Sequence, residues 1–205
     1  MGVAERRQRE REARKHAILD AAKEIFGREG YADAAMETIA ERAGVNIATV
    51  YYYYASKEIL YLAVLAVAME EVLPDLVRAG ENGASLRDKL RGIAFTYAAF
   101  HDQHPDLLLI ARYLGSNGQG DESDARDLAH HALAAARRAL DTTAETLNEG
   151  CRRGELREVD ARRTAMLMWA GLTGVLQISS ILRMDKRDGL IQQWLDLSVQ
   201  GLAQR

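Results

Sequence analysis

Proline is almost absent from these 205 residues, with only Pro74 and Pro105 present, so long helices meet few obligatory breaks. Phe and Trp number three and two. Alanine and leucine are abundant, a balance that favours an all-helical fold over a sheet. There is one cysteine, Cys151, which excludes an intrachain disulfide framework and fits a reducing compartment. Beside Arg152 and Arg153 near a predicted helix end, it is read as a small packed residue rather than a redox sensor. Positive charge is not in excess either. The net charge is −3, and residues 1–58 carry ten Lys and Arg against ten Asp and Glu. Any polyanion must therefore be met by a local arrangement of charge, in binding that is sensitive to salt.

Catalytic signatures are missing as well. The chain has no G-x-S-x-G, Walker loop, dinucleotide fingerprint or HExxH, so it reads as a non-enzyme without cofactor. His101 and His104 share a helical face near Asp102, and His130 and His131 form a second pair. On a helix the latter two diverge by about 100°, so no metal site is assigned. The acidic residues among the first fifteen argue against a transit peptide, and no apolar run follows for a secretory signal. We expect a cytoplasmic protein.

What is present is the stretch METIAERAGVNIATVYYYYASK, Met36 to Lys57. Ile39, Ala40 and Ala43 share one helical face, and Gly44 stops that helix. Asn46 is placed to cap a second one. Two short helices joined by a tight turn make a helix-turn-helix, whose second helix is the element that enters the DNA major groove. Projecting that second helix puts Ile47, Val50 and Tyr54 on its inner side and Ala48, Thr49, Tyr52 and Tyr53 on its outer side, with Tyr51 at the edge. Small, hydroxyl and phenol groups suit phosphates and base edges, and Lys57 offers a point charge. The candidate DNA-binding residues are thus Asn46, Ile47, Ala48, Thr49, Tyr51, Tyr52, Tyr53 and Lys57. Four consecutive tyrosines would suit a strand, but their neighbours show helical spacing.

Gly30-Tyr31, Ile39-Ala40, Ala43-Gly44-Val45, Thr49-Val50-Tyr51, Tyr53-Tyr54 and Ser56-Lys57-Glu58 together resemble the DNA-binding domain of the TetR family of transcriptional regulators. The resemblance covers about 50 residues. It implies a homodimer with an all-helical C-terminal domain that takes a small-molecule effector, and a repressor rather than an activator. Two positions depart from the family. Ala34 and Ala35 stand where a Thr or Ser usually caps helix 2 and touches phosphate, so Asp33 is expected to take over the cap. Ala48 occupies the small position usually held by Gly.

The remainder reads as helix after helix. Helix 1 is predicted from about Arg11 to Arg28, ended by Gly30 and carrying Ile18, Ala21, Ala22, Ile25 and Phe26 on its apolar stripe. Ahead of it, Arg6 to Lys15 form a basic arm, read against the alternatives of a solvated face or a disordered tail. Helix 4 starts after Ser56, reaches the neighbourhood of Pro74 and links the two parts mechanically. After a turn at Gly80–Ser85, a helix with Leu86, Leu90, Ile93, Tyr97 and Phe100 ends before Pro105. A short apolar helix at Leu107–Leu114, a glycine-rich loop from Gly115 to Asp124 and a long helix to Arg153 follow. Asp160 opens a helix that is apolar on nearly all sides, which predicts burial all round. Gln177, Ser179 and Ser180 argue against a transmembrane span. The last helix is predicted over Leu190–Leu202.

The expectation is an all-α protein of about nine helices. A helix-turn-helix domain of three helices spans residues 1–57, and a larger helical effector-binding and dimerisation domain spans 58–205. Candidate effector-pocket residues are Tyr97, Phe100, His101, His104, Arg112, Tyr113 and Trp169, with Arg112 available to an anionic effector. The dimer interface is expected at Leu167, Gly171, Gly174, Ile178, Trp194, Leu195 and Ser198, where pattern and resemblance agree. Expected partners are a double-stranded DNA operator, an unidentified small-molecule effector and a second copy of the chain, with no membrane. A regulator controlled by a protein partner instead of an effector is the alternative, and an enzyme on a helical scaffold ranks behind both.

Overall fold

The computed structural model describes residues 2–104, 123–185 and 187–203. Among them are eight helices: α1 Val3–Asp33, α2 Met36–Arg42, α3 Ile47–Tyr53, α4 Lys57–Glu81, α5 Leu86–Gln103, α6 Ser123–Arg152, α7 Ala161–Ile181 and α8 Arg187–Leu202. No strand occurs among the described residues beyond one isolated bridge between Leu156 and Ala203. The expected helix at Leu107–Leu114, the loop from Gly115 as far as residue 122, and the pocket candidates Arg112 and Tyr113 lie outside the described residues.

The helices form two compact units. The first takes α1, α2, α3, residues 57–68 of α4 and α6 up to Leu133, and the second takes the rest of α4 and α6 with α5, α7 and α8. In the first unit, Ile18, Ala22 and Ile25 of α1 meet Ile39 and Ala40 of α2, Val50 of α3, and Leu60, Val64 and Leu65 of α4. Each fully buried aliphatic here stabilises by about 1.5–3 kcal/mol. Phe26 meets the edge of Tyr61 at 4.9 Å, and Tyr31 lies 5.0 Å from the same ring. Arg42 reaches back from α2 to Glu24 on α1 at 2.6 Å.

Two boundaries differ from expectation. Helix α1 begins at Val3 rather than near Arg11, because the Glu5 carboxylate accepts from the Gly2 backbone N–H, the one half of a capping box that a glycine cap allows, and Arg6 pairs with Glu10. Its helical backbone does break at Gly30, where φ is +79°. Helix α4 passes through Pro74 and ends at Glu81. Proline removes one backbone bond there, yet the helix continues, with apolar contact on both sides of it from Met69 and Leu76.

In the second unit, Leu86 and Leu90 of α5, Ala144 and Leu147 of α6, Ala165 and Met168 of α7, and Leu195 of α8 share a core. Side-chain caps start two of these helices: Ser85 accepts from the Asp88 N–H and Asp160 from the Arg163 N–H. Within one chain α7 is buried on one side only, the other being the side expected to meet a second subunit. Leu167 is 65% exposed and Ile178 57%, and Met166 and Ile181 are exposed too. The helix is long and apolar enough to cross a membrane by length and composition. Its polar residues nevertheless have partners inside the unit: Thr173 pairs with Tyr97, and Ser179 donates to the Leu176 carbonyl.

Candidate nucleic-acid interface

The turn between α2 and α3 follows from Gly44. Its φ of +67° is the left-handed conformation that residues with a side chain avoid. With Gly44 so placed, the Gly44 N–H bonds to the Glu41 carbonyl and the Val45 N–H to the Ala40 carbonyl, both at 3.0 Å. These two bonds satisfy the end of α2 and turn Val45 back against the core. One residue later the side chain of Asn46 starts α3, accepting from the Thr49 N–H at 2.7 Å and from the Thr49 hydroxyl at 2.8 Å.

This cap fixes what the first turn of α3 can offer. The Asn46 oxygen is committed, leaving the Asn46 amide nitrogen as donor and the Thr49 oxygen as acceptor for an outside group. Ala48 is exposed beside them, so a ligand backbone can approach closely. Further along, Tyr52 is 73% exposed and Tyr51 47%, while Val50 and Tyr54 are buried. Ile47 and Tyr53 are half-buried against the core, and the Tyr53 ring meets Tyr52 edge-on at 5.2 Å. Tyr53 therefore braces Tyr52 from the domain side. The exposed surface of α3 carries no charge, so it would be read through hydroxyl, phenol and amide groups.

Lys57 opens α4 and turns inward. Its ammonium donates to the carbonyls of Ala32 and Ala34 at 2.9 and 2.8 Å and lies 4.9 Å above the Tyr31 ring. A cation on the carbonyls that end α1 is favoured by the helix dipole. The residue thus ties the α1–α2 turn to α4, a role that spacing alone did not reveal. The expected Asp33 cap on α2 is not formed. Ala35 is the N-cap, in extended conformation and with no side-chain bond, and Asp33 lies two residues ahead of it, in the turn that follows the break at Gly30.

Tyr54 ends α3 with its ring in the core, and its hydroxyl has no hydrogen-bond partner among the described residues. Burial, and secondarily the charge of Glu12, push its ionisation well above the ordinary phenol range.

In the second unit, four of the expected pocket residues form a buried aromatic row on α5. Tyr97 touches Trp169 of α7 at 4.5 Å, Phe100 stacks on Tyr97, and His104 lies 4.8 Å from Phe100. Trp169 donates to the Thr143 hydroxyl at 2.9 Å, and the His101 ring meets the Gln177 amide at 3.3 Å. Burial holds His101 below the ordinary imidazole range and raises Tyr97 above the phenol range. A cavity of about 560 Å³ opens beside this row. Of the expected residues that are described, only His101 is in its wall. Leu176, Ser179, Arg183 and Arg187 complete much of it, residues that no periodicity marks because α8 brings Arg187 to the end of α5, where it pairs with Asp102. No cluster able to hold a metal occurs among the described residues.

The expected interface residues divide. Leu167, Gly171, Gly174 and Ile178, continued by Ile181, follow the alternating four-and-three spacing of a helix seam, and Leu190, Trp194 and Leu197 do the same on α8. Leu167, Ile178, Ile181 and Leu197 are exposed. Gly171 is needed where it stands, since a Cβ there would sit 2.7 Å from the Trp194 indole nitrogen. Ser198 bonds to the Trp194 carbonyl. Leu195 is fully buried in its own unit, on nearly the opposite side of α8 from the exposed Leu197.

Similarity to known proteins falls in two parts. The family described as "Bacterial regulatory proteins, tetR family" matches residues 18–64. The chain is 35% identical over 102 residues to the transcriptional activator FasR of Mycolicibacterium smegmatis, covering 49% of this chain and 47% of that one. It is 41% identical over 81 residues to the transcriptional regulator RutR of Escherichia coli, covering 40% and 38%. The chain thus spans less than half the length of these curated relatives. Solved structures match across nearly the whole fold. The regulator FadR from Bacillus subtilis, solved in complex with stearoyl-CoA, aligns with a TM-score of 0.68 at 20% identity over 92% of this chain and 99% of that one. The MbdR regulator from Azoarcus sp. CIB aligns at 0.65 and 24% identity over 93% and 100%. At these identities the likeness establishes the fold.

Proposed function

We propose that this chain, whose residues 18–64 match the tetR family of bacterial regulatory proteins, is a member of that family and a homodimeric, sequence-specific DNA-binding regulator whose grip on DNA is set by a small-molecule effector. The observation that carries the DNA reading is the exposed, uncharged face of α3, with Ala48, Tyr51 and Tyr52 outward on a helix fixed by the Asn46 cap and the Gly44 turn. Tyrosine hydroxyls and the Asn46 amide meet base edges and phosphates, and two such helices in a dimer address the half-sites of a pseudo-palindromic operator about one helical turn, or a multiple, apart.

Dimerisation is supported by the apolar seam on α7 and α8, which pack as a pair and expose Leu167, Ile178 and Leu197. Two copies would bury these faces as a four-helix interface. The effector reading is supported by the cavity at His101 and by the aromatic row behind it. The stearoyl-CoA bound by Bacillus subtilis FadR is a precedent for ligand binding on this fold. Because α4 contributes residues to both units, an effector that prefers one arrangement of α4 shifts the population able to bind DNA. By analogy with the family the chain is read as a repressor that the effector releases from DNA.

Selecting sites from a random DNA pool at near-physiological salt tests this. One enriched inverted repeat is the expected result. No enrichment from a folded dimer would overturn it.

A further inference from the structure

The start of α1 differs from the rest of the helix. Residues 4–16 are exposed on every side, whereas Ile18, Ala22 and Ile25 are buried in the first unit. Projected at about 100° per residue, Arg7, Arg11, Arg14 and Lys15 fall within an arc of about 100°. Ile25 lies five turns beyond Arg7 on the same line, with Ile18 and Ala22 close beside it. One continuous face is therefore basic outside the core and apolar inside it.

Acidic residues avoid this stripe. Glu5 and Glu12 project to the far side, Glu10 pairs with Arg6 at 3.7 Å, and Glu12 accepts from Gln8 at 2.9 Å. Arg7, Arg11, Arg14 and Lys15 form no ion pair among the described residues. Arg7 with Arg11, Arg11 with Arg14, and Arg11 with Lys15 are like charges at helical contact spacing, which weakens an isolated helix. A short segment with no packed face has little to offset that repulsion. The stripe is unfavourable alone and favourable against a polyanion. From residue 7 to residue 15 it spans about 12 Å, the axial rise of about three or four nucleotides of one DNA strand.

We propose that residues 4–16 are an arm that lies along the DNA phosphate backbone beside the operator and adds affinity without reading sequence. This rests on the DNA-binding function proposed above. DNA is the polyanion the arrangement favours, since the arm is one helix with the segment that packs on α2 of the helix-turn-helix.

The test uses the full chain with Arg7→Gln, Arg11→Gln, Arg14→Gln and Lys15→Gln together, measured on the selected operator across salt concentrations. The variant is expected to enrich the same sequence as the wild type. Its dependence of log affinity on log salt should be shallower by about 3 units per protomer, with at least about a hundredfold loss of affinity at the low-salt end. Replacing the Arg6 and Glu10 pair by Arg6→Gln and Glu10→Gln should leave the slope in place. A quadruple variant that recognises the operator with an unchanged slope overturns the arm and leaves the DNA-binding reading standing. Wild-type protein that selects no DNA but binds anionic vesicles through these four residues overturns both.

Discussion

Replacing Lys57 by Met keeps the aliphatic stem of the side chain and removes its ammonium. Two hydrogen bonds to the Ala32 and Ala34 carbonyls are lost, together with the contact over the Tyr31 ring. A hydrogen bond from a charged donor is worth about 1.5–3 kcal/mol, reduced here because Lys57 is only half-buried, and the cation–π contact adds about 0.5 kcal/mol. The Ala34 end of the turn is buried, so water replaces the lost donor poorly there. Lys57→Met should cost about 2 kcal/mol of local stability. Native-state hydrogen exchange is the suitable assay, since it resolves the opening of individual elements. Amides of Ile39 and Val50 should open about 30-fold more often, while amides of α7 such as Leu172 keep their protection. An increase below about threefold in α2 and α3 would refute the structural role given to this lysine. Since the ammonium retains a third N–H, the same variant is expected to flatten the salt dependence of DNA affinity by no more than about one unit.

Three further outcomes follow from the same reasoning. Tyr54→Phe removes a buried hydroxyl with no partner among the described residues and should stabilise the first unit by about 1 kcal/mol, read by urea unfolding; a loss of stability would mean that the hydroxyl is satisfied. Because burial depresses the His101 pKa, the unfolded chain binds a proton there more readily than the folded one. That contribution is present in full above about pH 6.5 and is lost as pH falls toward the folded pKa; His101→Gln should make stability less dependent on pH below that point. Leu167→Glu combined with Ile178→Glu places charge on the exposed seam and should give monomers by sedimentation without loss of helix content. A dimer that survives both changes would place the interface elsewhere.

Local chemistry was the legible part of this chain. Gly44, Asn46, Ser85 and Asp160 announce their turns and caps because each acts on backbone groups within a few residues. The outward side of α3 was also readable, since helical projection needs no tertiary information. Projection failed by one position for Tyr53, which it placed outward and which rests partly on the core. The inward contacts of Lys57 were hidden for a different reason: its partners lie more than twenty residues upstream, and a lysine reaching inward looks like any other lysine in sequence. The cavity wall was only partly foreseen, because Arg187 reaches it through the return of α8 toward α5 and Arg183 from the turn that follows α7. Apolar residues on every side of α7 indicated burial, but a single chain leaves one side of that helix open.

The distribution of aromatic residues gives the protein a built-in optical division. Its only tryptophans, Trp169 and Trp194, both belong to the second unit. Trp169 rests on Tyr97 beside the cavity, and Trp194 rests on Gly171 at the α7–α8 seam. Among the described residues six tyrosines, by contrast, sit in the first unit at 31, 51–54 and 61. Tryptophan emission therefore follows events around the cavity and the seam without a background from the helix-turn-helix. Trp194→Phe would leave Trp169 as an unlabelled sensor for screening effectors, and Trp169→Phe would leave Trp194 to report subunit exchange.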